Sequence, residues 1–173
     1  MEKGYLQIYT GDGKGKTTAA MGLALRAAGA GLRVYIGQFV KDMKYHEVQL
    51  IERALPQIVV EQLGRGCFLD RPPNDGDRQA ALDGLNHVRR LMESGQYDLM
   101  ILDEFSIAIV CGLFTEKDAL SLLDARPDSL ELALTGRYMP QSLLDRADLV
   151  TEMKEIRHYY ATQGLLARDG IER

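Results

Sequence analysis

The sequence predicts a single α/β domain, doubly wound around a mostly parallel sheet of about six strands. Three observations carry that expectation. Short apolar runs alternate with helical patterns along the whole chain, which is the signature of repeated βαβ units. Several of those runs are apolar throughout rather than at every second residue, as strands covered by helices on both faces must be. A glycine-rich loop also falls between the first strand and the first helix, where doubly wound sheets bind ligands.

In chain order, residues 5–9 read as a strand, being aromatic and β-branched with one polar interruption. Residues 16–30 are rich in Ala and Leu, which suits a helix lying close against a sheet. Residues 33–40 form a second strand, 44–55 a helix stopped by Pro56, and 57–63 a third strand. Residues 64–77 are a loop rich in Gly, Pro, Asn and Asp. Ala81, Leu85, Val88, Leu91 and Met92 give 78–94 the spacing of an amphipathic helix. Residues 98–102 are a nearly continuous apolar strand, and 130–134 and 148–153 read the same way. Helices at 116–124 and 141–146 precede the last two strands. No repeat, linker or low-complexity segment divides residues 1–173, so one domain is expected.

At 173 residues, 46% of them hydrophobic, the chain is long enough to bury roughly 70% of its unfolded surface without a covalent staple. Cys67 and Cys111 are too few for a disulfide framework and point to a reducing compartment. A formal net charge of −4 does not provide the basic face that nucleic acid demands. No apolar run reaches the roughly 18 residues needed to span a bilayer. The opening Met-Glu-Lys-Gly-Tyr lacks the apolar stretch of a signal peptide. A cytoplasmic protein with no membrane or nucleic-acid partner is therefore expected.

The strongest chemical signal is Thr10-Gly11-Asp12-Gly13-Lys14-Gly15-Lys16-Thr17-Thr18. Glycines let successive backbone N–H groups curl around phosphate oxygens. A lysine at the helix start, Lys16, meets the outer phosphates, and the Thr17 hydroxyl is suited to Mg²⁺. The helix N-terminus adds partial positive charge. Thr10 stands where the general pattern has its first glycine. ATP binding through Gly11, Asp12, Gly13, Lys14, Gly15, Lys16, Thr17 and Thr18 follows, and with it a P-loop NTPase-like, RecA-like three-layer fold.

The second signal is Met100-Ile101-Leu102-Asp103-Glu104, an apolar strand ending in two carboxylates. Such a strand is expected beside the first one, bringing Asp103 or Glu104 to the metal held by Thr17. Lys41 and the Thr135-Gly136-Arg137 turn fall at other strand ends, on the edge where open sheets bind ligands. An arginine there forks onto phosphate oxygens in a way a lysine does not. His46, His87 and His158 share no metal-ligand spacing, and His158 beside Tyr159 and Tyr160 reads as packing. No nucleophile elbow or Cys–His pairing points to acyl transfer.

Taken together, these segments resemble the P-loop family of ATP:corrinoid adenosyltransferases. The likeness rests on the loop at 10–18, Gln38-Phe39-Val40-Lys41, Leu102-Asp103-Glu104 and Leu134-Thr135-Gly136-Arg137. It continues through Ala147-Asp148-Leu149-Val150-Thr151-Glu152-Met153 and Ala167-Arg168-Asp169-Gly170-Ile171-Glu172, and so runs from Tyr5 to Glu172. The resemblance implies transfer of the 5′-deoxyadenosyl group of ATP to the cobalt(I) of a reduced corrinoid, with release of triphosphate, in cobalamin biosynthesis or salvage. It further implies Mg²⁺ or Mn²⁺ as cofactor, an electron donor such as a flavodoxin or reduced flavin, and a homodimer. Lys16, Lys41 and Arg137 would then stabilise the departing triphosphate.

Many members carry Gly-Phe-Thr-Trp after the third strand, where this chain reads Gly66-Cys67-Phe68-Leu69, so Phe68 and Leu69 are expected at the corrinoid. Longer members have an N-terminal extension over the site, whereas here four residues precede the first strand. The loop at 64–77 and the tail at 154–173 are expected to cover the site or form an interface. The alternatives are a RecA-like P-loop ATPase, with Glu104 polarising water, and a small-molecule kinase. A kinase lid would be Arg-rich, and the loop at 64–77 offers only Arg65 and Arg71. No guanine-reading motif supports a GTPase.

Overall fold

The computed structural model describes residues 2–41, 44–64 and 72–172. Six strands form one all-parallel sheet: β1 (Leu6–Thr10), β2 (Val34–Gln38), β3 (Ile58–Gln62), β4 (Leu99–Asp103), β5 (Glu131–Thr135) and β6 (Leu149–Glu152). Their spatial order is β3-β2-β4-β5-β1-β6. The helices are α1 (Lys16–Gly29), α2 (His46–Ala54), α3 (Asp75–Ser94), α4 (Phe105–Val110), α5 (Glu116–Asp124), α6 (Gln141–Leu144) and α7 (Tyr159–Gln163).

Alternation along the central strands sorts the core into two halves. Val34 and Ile36 of β2, with Leu99 and Ile101 of β4, face Ala20, Ala24, Ala27 and Ala28 of α1. Those alanines let α1 lie close to the sheet, which brings its N-terminus to the strand ends. On the other face Tyr35, Met100 and Leu102 meet Ala81, Leu85, Val88 and Met92 of α3. Phe39, Phe105 and Phe114 pack there with ring centroids 5.3–5.5 Å apart, in the tilted and edge-on arrangements that aromatic quadrupoles favour.

Three expectations need correction. The strand ending in Asp103 and Glu104 is not beside β1, because β5 lies between β4 and β1. The second is that β6 is not buried on both faces: it is an edge strand, with Leu149 and Val150 each nearly half exposed. Its apolar composition looked like that of a central strand, but composition does not report position in the sheet. The third concerns helices. α4 and α7 were not foreseen, since both are too short for a periodic signal, and α3 starts at Asp75 rather than at residue 78. There Asn74 accepts a hydrogen bond from the Asp77 N–H at 3.0 Å while the Asp77 carboxylate accepts from the Asn74 N–H at 2.9 Å. This reciprocal cap extends the helix into the predicted loop.

At the end of the sheet remote from the phosphate loop, Arg33 and Asp98 join the starts of β2 and β4. The Asp98 carboxylate accepts from the Arg33 N–H at 2.9 Å, from Nε at 3.0 Å and from Nη2 at 3.0 Å. These bonds hold the carboxyl down at about 2, below its ordinary 3.8. Because the folded value is depressed, this contribution is fully present above about pH 4. It is lost as the pH falls toward 2. Asp98→Asn is therefore expected to lower the urea midpoint at pH 7. The gap from the parent chain should close as both are titrated toward pH 2.

Candidate active site

The loop between β1 and α1 is shaped by its glycines and by what passes alongside it. Gly11 has φ 95°, and a Cβ there would lie 2.4 Å from the Met153 carbonyl oxygen, so only glycine fits. The Gly13 N–H donates to that same carbonyl at 2.7 Å, and the Met153 N–H donates back to the Thr10 carbonyl at 2.8 Å. The end of β6 thus braces the loop. Lys16, mostly buried, curls over it and donates to the carbonyls of Gly11 and Gly13, both at 2.7 Å. Burial first, and then the positive charge of Arg137, pull the Lys16 ammonium below the usual lysine range.

Asp103 lies beneath this loop with no exposed surface. Its Oδ1 accepts from Thr17 Oγ1 at 2.9 Å and Thr135 Oγ1 at 2.7 Å. Its Oδ2 accepts from Lys41 Nζ at 2.7 Å and Gln38 Nε2 at 3.1 Å. Burial alone would raise this carboxyl. The Lys41 charge and the bonds from Lys41, Thr135 and Thr17 outweigh it and hold Asp103 ionised, below its ordinary value. β4 reaches α1 directly, because α1 packs across β4 and Thr17 donates to Asp103, while Thr135 at the end of β5 adds a second donor to the same oxygen.

Glu104 behaves differently. It takes a left-handed backbone (φ 56°), its N–H donates to Thr135 Oγ1 at 3.0 Å, and its side chain lines the cavity. Burial, then the neighbouring Asp103 charge, push its carboxyl above the usual glutamate range.

These groups surround a cavity of about 560 Å³. Gly13, Lys14, Gly15, Lys16, Thr17 and Thr18 form its floor; Lys41, Glu104 and Arg137 stand on one side. The expected residues thereby line it, apart from five, of which Asp103 is buried beneath the loop and touches the site only through Thr17 and Lys41. Gly11 and Asp12 face a second cavity, where Asp12 accepts from the Glu155 N–H at 3.2 Å. Phe68 and Leu69 lie outside the described residues.

The tail closes the remaining side. His158, Gly170, Ile171 and Glu172 line the cavity, so His158 is not simply packing. Glu172 is held by Arg168 and by the Tyr159 hydroxyl, and Asp169 pairs with His46 at 2.8 Å. The Thr135 turn was expected at this edge, but its hydroxyl as a partner of Asp103 was not, and Gln38 was not expected at the carboxylate at all. The available signal for Gln38 was an apolar strand closed by a single amide.

Lys41→Met keeps the aliphatic stem but leaves a buried carboxylate without its cation. Breaking one side of such a pair costs about 3 kcal/mol or more. A fall of that size in unfolding free energy at pH 7, largely relieved in the Lys41→Met/Asp103→Asn double variant, is the expected result of urea titrations.

The match to known proteins agrees with this geometry. The family model described as ATP:corrinoid adenosyltransferase BtuR/CobO/CobP matches residues 2–173. The corrinoid adenosyltransferase CobA of Salmonella typhimurium is 31% identical over 99% of this chain and 86% of its own. An uncharacterized protein of Nostoc sp. is 34% identical over 98% of this chain, which spans about half (48%) of that relative's length. The crystal structure of the flagellar accessory protein FlaH from Methanocaldococcus jannaschii aligns with a TM-score of 0.59 at 15% identity. That alignment covers 88% of this chain and 72% of the other, a likeness of fold alone. With the family model matched from residue 2 to residue 173, the chain belongs to the ATP:corrinoid adenosyltransferase family.

Proposed function

We propose that this chain transfers the 5′-deoxyadenosyl group of ATP to the cobalt(I) of a reduced corrinoid and releases triphosphate. The observation that carries the reading is family membership over residues 2–173, joined to a cavity of about 560 Å³ that the glycine-rich loop lines together with Lys16, Lys41 and Arg137. Cobalt(I), as substrate, is itself the nucleophile, so the transfer to carbon needs no general base. The protein has two tasks: aligning the 5′-carbon, and stabilising charge as the triphosphate leaves. Lys16 at the α1 N-terminus meets the phosphates, and Lys41 and Arg137, which line the same cavity, add positive charge.

The donor set fits Mg²⁺. The Thr17 hydroxyl donates its hydrogen bond to Asp103, which leaves its oxygen lone pairs free for a cation. Both oxygens of Asp103 are taken by four donors, so Asp103 orients Thr17, and Glu104, which lines the cavity, is the carboxylate that would help hold the ion. A bound divalent cation would supply charge neutralisation on the phosphate oxygens.

The raised carboxyl of Glu104 also suits a base that activates water, as the RecA-like ATPase reading requires. Product analysis separates the two. ATP, Mg²⁺ and chemically reduced corrinoid should give the adenosylated corrinoid spectrum and equimolar triphosphate. In folded Lys16→Ala, ATP affinity and turnover should both fall by more than tenfold. ADP and orthophosphate formed without corrinoid would establish the ATPase instead.

The further parts of this reading are a flavodoxin or reduced flavin as electron donor and a homodimer. Exposed Ile156, Tyr160 and Leu166 in the tail offer apolar surface of the kind interfaces use. Light scattering at micromolar concentration should give twice the 19.3 kDa mass of one chain. A single species at the monomer mass would exclude the dimer.

A further inference from the structure

Arg137 lines the phosphate cavity, yet among the described residues its guanidinium has no hydrogen-bond or ion-pair partner. The two lysines of the cavity differ: Lys16 is held by the carbonyls of Gly11 and Gly13, and Lys41 by Asp103. Arg137 is placed only by the backbone that carries it, so what sets that backbone sets the cation.

The next residue, Tyr138, has φ 57°, a left-handed backbone that bulky residues adopt only under constraint. Its ring is 69% exposed, so burial does not offset the strain. The constraint comes from α4. Ser106, which has no exposed surface, donates from Oγ to the Arg137 carbonyl at 2.6 Å. That carbonyl belongs to the planar peptide joining Arg137 to Tyr138, and rotation of this plane is what would return Tyr138 to a negative φ. The hydroxyl therefore holds the plane in its strained orientation. Gly136 completes the seat, since a Cβ there would collide with the same hydroxyl. α4 is itself fixed: Phe105 packs against Phe39 and Phe114, and the Glu104 N–H donates to Thr135 Oγ1 at 3.0 Å. The turn is thereby tied to the strand ends that also hold Asp103.

We infer that Ser106 is a positioning residue for the transfer: by holding the Arg137–Tyr138 peptide, it stations the Arg137 guanidinium at the departing triphosphate. This rests on the adenosyltransferase reading above. Charge grows on the triphosphate only as its bond to the 5′-carbon breaks and the electron pair passes to the phosphate oxygen. A displaced cation therefore costs turnover more than it costs ATP binding. Without the hydroxyl, the Arg137 carbonyl loses its buried partner, the peptide rotates to relieve Tyr138, and Arg137 moves with it. Glycine at position 138 removes the reason to rotate, because it takes a left-handed backbone freely.

The test measures kcat and KM for ATP, with chemically reduced corrinoid, in the parent chain, Ser106→Ala, Arg137→Ala and the Ser106→Ala/Arg137→Ala double variant. Thermal melting of each checks that it is folded. Ser106→Ala should lower kcat about tenfold and change KM by less than about twofold. In the Arg137→Ala background the same substitution should change kcat by less than about twofold, because the cation it positions is gone. Ser106→Ala/Tyr138→Gly should recover kcat to within about threefold of the parent, and it carries the test if Ser106→Ala alone does not fold. Four results would overturn the inference: parent kcat in Ser106→Ala, a loss expressed in KM instead, an equal loss with and without Arg137, or no recovery on adding Tyr138→Gly. The third would mark Ser106 as a support of the fold only. A parent chain that does not adenosylate the corrinoid would overturn the adenosyltransferase reading, and this inference with it. An active parent with any of the four results would overturn this inference alone.

Discussion

The buried carboxylate of Asp103 is the constraint around which the site is organised. A charge without solvent contact is tolerable only when every lone pair is met and a cation stands beside it. Here the donors come from four places: Gln38 at the end of β2, Lys41 just beyond it, Thr135 at the end of β5 and Thr17 in the first turn of α1. The carboxylate therefore ties the carboxyl edges of β2, β4 and β5 to the phosphate loop. Whatever displaces one donor disturbs the others, because all four share two oxygen atoms. Glu104, one residue on, is released from this role by its left-handed backbone and faces the cavity instead.

A second dependence runs through β6. That strand is at the sheet edge and largely exposed, which would ordinarily mark it as marginal. Its end nevertheless supplies the Met153 backbone groups that brace Gly13 and Thr10, and the chain beyond it supplies the tail wall of the cavity. The shape of the phosphate loop is thus determined from outside the loop. A peptide containing residues 10–18 alone would carry the motif without the conformation.

Much of this was legible in the residues themselves. The phosphate loop announces itself because its chemistry demands glycine, lysine and threonine at fixed offsets. The strands of the sheet were legible from apolar runs of the right length. Strand order was not, because parallel strands joined by helical crossovers carry no local mark of which neighbour each one takes. The placement of β4 beside β1 failed for that reason, while the convergence of Asp103 on Thr17 held, because α1 crosses the sheet and Thr17 reaches Asp103 directly. The exposure of β6 was hidden for a related cause: Leu149 and Val150 look the same at an edge as at a centre. Lys41 and Arg137 could be placed at the cavity because open sheets gather their strand ends along one edge. Gln38 escaped because a single polar residue closing a strand has many ordinary explanations. Gly136 and Tyr138 show the opposite limit, since nothing in their order tells that a hydroxyl from α4 holds the turn.

The parallel order of the strands has a consequence for how the chain acquires its structure during synthesis. β1 is the first strand made, yet both of its neighbours, β5 and β6, come from the last third of the chain, with Gln7 aligned to Ala133 on one side and Leu149 on the other. Until more than 120 further residues have emerged, β1 has no partner and the loop after it has no brace. β2, β3 and β4 can pair among themselves earlier, so one half of the sheet precedes the other. Contacts this distant in sequence are slow to form, and they leave apolar strand surface uncovered in the interim. The phosphate loop is therefore among the last regions to be completed, since its brace at Met153 follows β6 in the order of synthesis.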